Sequence, residues 1–329
     1  MKALIIGSGV AAQMHCEVLK QYHINIAGIY SRTLASSEAL AHTYKTNAYS
    51  NLSEALAQDI DFAVICTPNG THAALAIQVM QAGKHVVVEK PLALTREDCA
   101  AVLQAAKETR RICAPISQMR FSDAYTNAKS CLEEKLLGIP VMASLSMKYY
   151  RSPEYYAGTW KGTKAMDGGE LMNQGIHGID VMCGLLGKPV SVSGKIATRC
   201  HNIEAEDTAV AQLTFPGGIL GVIDSSTAVS KSKPRRLEIC GSSGLLVMEE
   251  DRIILAEGFT CPTHEAGVYR GNRDPKDIGL ELHGRSYRNI LAAFAGTAPL
   301  AYTASMAADT IDVICAIYES SLSGKTVFL

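Results

Sequence analysis

The chain has 329 residues, a formal net charge of −1 and an isoelectric point near 6.7. That length bounds about two domains with substantial cores. The balanced charge offers no footprint for nucleic acid or an acidic membrane surface, so neither is expected as a partner. No apolar run approaches the roughly 18 residues a spanning helix needs. Met1-Lys2 leads straight into Ala3-Leu4-Ile5-Ile6 without a cleavage-site pattern, so no signal peptide is expected. The ten cysteines stand singly, and many (Cys66, Cys99, Cys113, Cys183, Cys240, Cys315) fall inside apolar segments. They read as reduced core thiols of a cytoplasmic protein rather than a disulfide framework. Cys261 and His264 have ligand-like spacing, but no second pair joins them, so no metal site is expected.

Residues 3–6 predict a strand, followed by Gly7-Ser8-Gly9-Val10-Ala11-Ala12 and a helix to about Gln21. This is G-x-G-x-x-A between strand and helix. The first glycine permits a tight turn, the second lets backbone N–H groups approach a pyrophosphate, and the small third residue packs helix on strand. The alternative is a glycine-rich turn without ligand. A second strand, Ile24–Tyr30, ends in Ser31-Arg32-Thr33. An NAD site usually places an acid there for the ribose 2′-hydroxyl, and none occurs before Glu38. Ser31 and Arg32 suit a 2′-phosphate, which leans towards NADP; the alternative is Arg32 stacked on adenine with either cofactor accepted.

The alternation continues through a helix at 34–44, a helix capped by Asn51, and a strand at 61–66. That strand ends in Thr67-Pro68-Asn69-Gly70-Thr71-His72, a loop expected to flank the cofactor, and a helix at 72–82 stops at Gly83. Val86-Val87-Val88 reads as a buried parallel strand, with Glu89-Lys90-Pro91 at its carboxyl end, where open α/β sheets bind ligands. Lys90 is therefore either a reacting group on a rigid element or half of a solvated charge pair. A helix capped by Thr95 and a strand at 112–116 complete a parallel, doubly wound sheet.

Past residue 121 the pattern changes. A helix at 123–136 precedes a long strand at 141–151, then a loop with Tyr155, Tyr156, Trp160 and Asp167-Gly168-Gly169. A helix at 170–186 carries Asn173, His177 and Asp180 at i, i+4 and i+7, one face of an α-helix. His177 can exchange a proton near neutrality or serve as a satisfied structural group. Strands at 190–200, 207–215, 218–228, 235–240 and 245–255, joined by hairpin-like turns, predict a largely antiparallel sheet. Residues 257–284 read as an irregular lid or binding loop, and helices at 285–296 and 303–321 close the chain.

Taken together, Gly7-x-Gly9-x-x-Ala12, Thr67-Pro68-Asn69-x-x-His72, Glu89-Lys90-Pro91 and Gly175-Ile176-His177-x-x-Asp180 resemble the Gfo/Idh/MocA family of sugar dehydrogenases over essentially the whole chain. The resemblance implies α/β architecture. An NAD(P)-binding Rossmann domain is expected at 1–121. A substrate-binding and oligomerisation domain with a large open, mostly antiparallel sheet is expected at 122–329. It implies NADP or NAD held by Gly7 through Ala12, Ser31, Arg32, Thr67, Pro68, Asn69, His72, Glu89 and Lys90. It further implies Lys90 and His177 as a catalytic pair, with Asn173, Tyr155 and Trp160 on a sugar-like substrate, and a homodimer or homotetramer packed through the open sheet. The implied reaction is hydride transfer between nicotinamide and a secondary alcohol or ketone of a sugar or cyclitol. Inositol dehydrogenases of the family carry Asp four residues before the histidine; Asn173 here cannot act as a base, which weakens inositol as substrate. The strings around Arg151, Trp160 and Asn173 resemble the branch with UDP-N-acetylglucosaminuronate 3-dehydrogenases. A uronate needs a cation, for which Arg120, Arg151, Lys161 and Arg285 are candidates. The remaining alternative is a non-enzymatic dinucleotide sensor, against which retention of both Lys90 and His177 argues.

Overall fold

In the computed structural model, which describes residues 1–261 and 275–329, the apolar runs of the first third become parallel strands. They are β1 (Lys2–Ile6), β2 (Asn25–Tyr30), β3 (Asn47–Tyr49), β4 (Phe62–Ile65), β5 (His85–Val88) and β6 (Cys113–Pro115). Their order is β3-β2-β1-β4-β5-β6, all parallel. Helices α1 (Val10–Gln21), α2 (Leu34–Tyr44), α3 (Leu52–Leu56), α4 (His72–Gln81) and α5 (Arg96–Thr109) connect them. β4 is buried along its whole length, as are Val86, Val87 and Val88, because both faces of a parallel sheet are covered. The chain runs outward in opposite directions from β1 and β4, so a crevice is expected between the loops that follow those two strands. The caps form as expected: Asn51 Oδ1 accepts from the Ser53 and Glu54 N–H groups, and Thr95 Oγ1 from Asp98 N–H at 3.0 Å. β3 was not legible, being three residues at the sheet's edge.

The second sheet has eight strands: β7 (Pro140–Lys148), β8 (Ser191–Ala197), β9 (Thr208–Thr214), β10 (Leu220–Ser226), β11 (Arg236–Gly241), β12 (Leu245–Glu249), β13 (Arg252–Glu257) and β14 (Val327–Phe328). Their order is β13-β12-β11-β7-β10-β9-β8-β14, antiparallel except where β10 lies along β7. The expected single strand at 245–255 is a hairpin instead, turned at Glu250, whose φ of 50° places it in the left-handed region. Helices α6 (Asp123–Glu133) and α7 (Pro153–Tyr156) flank β7 in sequence. A π-helical stretch, Leu171–Gly175, leads into α8 (Ile176–Leu186). A Cβ on Gly178 would sit 2.5 Å from Met147 Sδ, so this glycine sets how closely α8 approaches the sheet.

Two compact units result. The first joins Met1–Gln118 to α9 (Pro275–Phe294) and the chain as far as Ala308; the second begins at Met119 and regains Asp309–Leu329, which holds most of α10 (Ala304–Ser323). A single boundary at 121/122 therefore does not describe the division. α9 returns to the first unit because Tyr287 and Ile290 complete a core with Ala12, Cys16, Leu19 and Val64. Phe294 meanwhile packs on Phe62 and stacks on His85 at 4.8 Å. The expected irregular segment 257–284 is corrected at both ends, since β13 reaches Glu257 and α9 starts at Pro275; residues 262–274 lie outside the described residues. Among the described residues no helix is long and apolar enough to cross a membrane.

Candidate active site

Within the first unit the loops after β2, β1, β4 and β5 stand side by side in sheet order. Gly7 has φ of +120°, its N–H donates to Tyr30 O at 2.8 Å, and a Cβ there would lie 2.4 Å from Cys66 O; no other residue fits. Gly9 is the N-cap of α1, and a Cβ on it would meet nothing within 4 Å. No side chain caps α1, its first turn holds no acid, and Val10 is 83% exposed. The orphan N–H groups and positive end of this helix thus face open space, which fits a pyrophosphate. Ala12 is fully buried at the packing position of the motif. Ser8 Oγ lies 3.4 Å from Ser31 Oγ, and Arg32 is exposed with no ion pair among the described residues.

After β4, Thr71 Oγ1 donates to Pro68 O at 2.7 Å and meets Thr67 Oγ1 at 2.7 Å, holding the turn in which Asn69 is buried. His72, expected on the cofactor, is buried as a strut: Nδ1 lies 2.7 Å from Pro91 O and Nε2 2.8 Å from Thr67 O. Burial pushes its pKa down, and the two carbonyls oppose that. After β5 the Lys90–Pro91 peptide is cis, and Lys90 is half-buried.

Glu89, expected on the cofactor, is buried between α1 and α9. Its Oε1 lies 2.8 Å from His15 Nε2 and 3.4 Å from His283 Nε2, and its Oε2 accepts the Lys90 N–H at 3.0 Å. Burial opposes ionisation, but hydrogen bonds from the two imidazoles hold this carboxyl well below its ordinary range. His15 Nδ1 meets Tyr287 Oη at 2.7 Å, and burial lowers the His15 pKa. Sequence reasoning missed His15, His283 and Tyr287. His15 lies three residues past the glycine motif on a buried helix face, which was the one available signal.

The second unit assembles another constellation. Asn173 Nδ2 donates to Asp167 Oδ1 at 2.5 Å, Gln174 Nε2 donates to Asn173 Oδ1 at 3.1 Å, and Arg151 donates to Gln174 Oε1 at 2.8 Å. Lys161 Nζ sits 3.7 Å from the centre of the Tyr155 ring and the Arg151 guanidinium 5.3 Å from it. Burial lowers the Lys161 pKa, partly offset by Asp167. Tyr155 packs edge-on against Tyr156 at 4.9 Å; Tyr155, Trp160 and His177 are half-buried. The expected α-helical face of Asn173, His177 and Asp180 is corrected twice. Asn173 lies in the π-helical stretch, whose wider turn breaks α-helical spacing. Asp180 is buried, accepting from Arg120 at 2.7 and 2.9 Å and from Thr310 at 3.0 Å. Of the candidate cations, Arg120 is thus tied to Asp180 and Arg285 to Glu281 on its own helix, leaving Arg151 and Lys161 beside Asn173. Cys261 is buried 3.5 Å from Cys131 Sγ, while His264 lies outside the described residues.

Residues 1–116 match the model of an oxidoreductase family with an NAD-binding Rossmann fold, and residues 125–247 match the GFO/IDH/MocA C-terminal domain. A myo-inositol 2-dehydrogenase of Thermotoga maritima is 27% identical over 306 residues, covering 89% of this chain and 87% of that protein. A scyllo-inositol 2-dehydrogenase (NADP(+)) of Bacillus subtilis is 26% identical over 287 residues, covering 82% and 79%. The crystal structure of the WlbA dehydrogenase from Bordetella pertussis, in complex with NADH and UDP-GlcNAcA, superposes with a TM-score of 0.91 at 27% identity, over 100% of this chain and 97% of that one. With both domains matched and the dinucleotide cradle formed, the chain belongs to the Gfo/Idh/MocA family of nicotinamide-dependent oxidoreductases.

Proposed function

We propose that this enzyme interconverts a secondary alcohol and a ketone on a sugar, sugar derivative or cyclitol. The observation that carries the reading is the uncapped, open N-terminus of α1 with Lys90 two strands away, at the carboxyl end of β5 in the same sheet. Nicotinamide, when bound, accepts or supplies the hydride. Pro68 and Asn69 border its ring. Lys90 hydrogen-bonds the reacting oxygen and stabilises charge developing on it. His177 moves the proton, and Asn173 orients a neighbouring hydroxyl. Tyr155 and Trp160 offer apolar faces with polar edges, suited to a pyranose ring.

The cofactor is NADP by preference, because β2 is followed by Ser31-Arg32-Thr33 with an exposed guanidinium and no carboxylate. Among substrates, a second reading has its own support: an acidic sugar such as a nucleotide-linked uronate. Arg151 and Lys161 bring two cations to the Tyr155 ring beside Asn173, and the WlbA likeness points the same way. The working form is a homodimer or homotetramer joined through the second sheet. A cytoplasmic location agrees with cysteines that form no disulfide among the described residues. The test is a screen of uronates, neutral pyranoses, cyclitols and their keto forms with both cofactors, repeated with Lys90→Ala. The variant is expected to bind dinucleotide normally and to lose about 10²-fold or more in turnover. Full activity in Lys90→Ala would end the assignment.

A further inference from the structure

We infer that His15, Glu89 and His283 form a buried clamp that positions Lys90, deepening the reading of Lys90 as the group on the reacting oxygen. The cluster lies wholly within the first unit. Its three ligand-type atoms fall within 4.8 Å of one another, from α1, from the residue after β5 and from α9. Each member's remaining polar atom has a partner. Glu89 Oε2 accepts the Lys90 N–H at 3.0 Å. His15 Nδ1 meets the Tyr287 hydroxyl at 2.7 Å. His283 Nδ1 lies 2.7 Å from Gly279 O. The imidazoles of His15 and His283 cross edge-on at 5.4 Å, which fixes both rings around one carboxylate oxygen.

The consequence falls on one short segment. Glu89 takes the main-chain N–H of Lys90 from one side, and His72 holds the carbonyl of Pro91 from the other at 2.7 Å. Lys90 thus has its backbone fixed just before and just after, while its side chain is only half-buried. A carboxylate with two imidazoles on one oxygen and a backbone N–H on the other is too restrained to be a solvated partner of the adjacent lysine. Its geometry serves the placement of that lysine. A displacement of about 1 Å at a reacting group costs on the order of 10²-fold in rate. Small errors in Lys90 are therefore expected to appear in turnover rather than in binding.

The experiment is a double-variant cycle with Glu89→Ala and Lys90→Ala, assayed on the best substrate from the screen above. Dinucleotide affinity is measured separately by NADPH and NADH fluorescence. Glu89→Ala is expected to lower kcat by roughly 10- to 100-fold, with KM and dinucleotide Kd changed by less than about threefold. The double variant is expected to be no slower than Lys90→Ala, because Glu89 acts through Lys90. Independent losses that multiply would overturn the clamp, as would loss of dinucleotide binding with kcat retained. If Glu89→Ala does not fold, His15→Gln and His283→Gln take its place in the same cycle. Stoichiometric zinc in the purified enzyme, removed by chelation with loss of activity, would make the cluster a metal site and also overturn the inference. An active Lys90→Ala enzyme would sink the underlying reading instead, so the two failures are distinct.

Discussion

At the scale of single residues, what was legible in the sequence was whatever local chemistry dictates. Gly7 is fixed by its own φ and by Cys66 O, Asn51 and Thr95 by the helices they begin, and Lys90 by standing where an apolar strand stops. What was not legible depends on partners far away along the chain. His15, Glu89 and Tyr287 meet across separations of 74 and 272 residues, and Arg120 meets Asp180 across 60. Periodicity within one helix carries no trace of such meetings, which is why Asp180 read as part of a polar functional face. The exposure of Arg32 makes a sharp test of its proposed role. If its guanidinium receives a 2′-phosphate, Arg32→Ala removes a charge-assisted hydrogen bond that NADPH has and NADH lacks. Such bonds contribute about 1.5–3 kcal/mol, so NADPH Kd is expected to rise roughly 10- to 100-fold while NADH Kd stays put. Equal weakening in a fluorescence titration would contradict the phosphate role.

At the scale of elements, the stretch from Glu170 to Leu186 shows how tertiary context changes a local reading. Apolar periodicity gave a continuous α-helix, but Leu171–Gly175 winds as a π-helix. Its approach is set by Glu206, whose side chain accepts the Leu171 N–H at 2.9 Å and the Tyr318 hydroxyl at 2.8 Å. Beside it, Glu170 is buried, accepts from Ser225 at 2.5 Å and leaves Oε2 without a partner among the described residues. Burial pushes the Glu170 pKa up to about 8, with Glu206 adding repulsion, and pushes that of Glu206 up to about 7. Both carboxyls therefore favour the protonated form in the folded state, whereas in the unfolded chain they ionise near 4.5. The folded state then binds more protons than the unfolded one, so stability falls as pH rises from about 4.5 to about 8. Glu170→Gln keeps the shape and removes the titration. Melting temperatures between pH 5 and pH 9 are expected to decline less steeply in the variant, the gain at pH 9 being on the order of a few kcal/mol. Parallel melting curves for the two proteins would show that Glu170 is charged in the fold.

At the scale of the whole chain, the alternation of strands and helices was enough to give two sheets of different kinds, because strand spacing and turn chemistry are local. It could not give the return of α9 to the first unit, since an amphipathic helix does not announce which core it completes. Nor could it give the outer face of the second sheet. There Met142, Val210, Leu220 and Val222 come together from β7, β9 and β10, with Leu220 58% and Val222 44% exposed. The paired register puts Leu220 opposite Met142, while Val222 lies between Ser144 and Gln212 and Val210 is opposite Asp224. The same face carries the ion pair Lys148–Asp224 and the Arg236–Glu238–Glu249 group. The homo-oligomer proposed above puts a second copy on this exposed face of the eight-stranded sheet. Across a two-fold axis each charge placed at the centre of the patch is introduced twice, so Val222→Asp is expected to convert a sedimenting dimer or tetramer into monomer. The dinucleotide cradle lies entirely in the first unit, so the monomer is expected to keep its cofactor affinity. A wild-type protein that sediments as a monomer at micromolar concentration would refute the assembly, and an unchanged oligomer in Val222→Asp would move it to another surface.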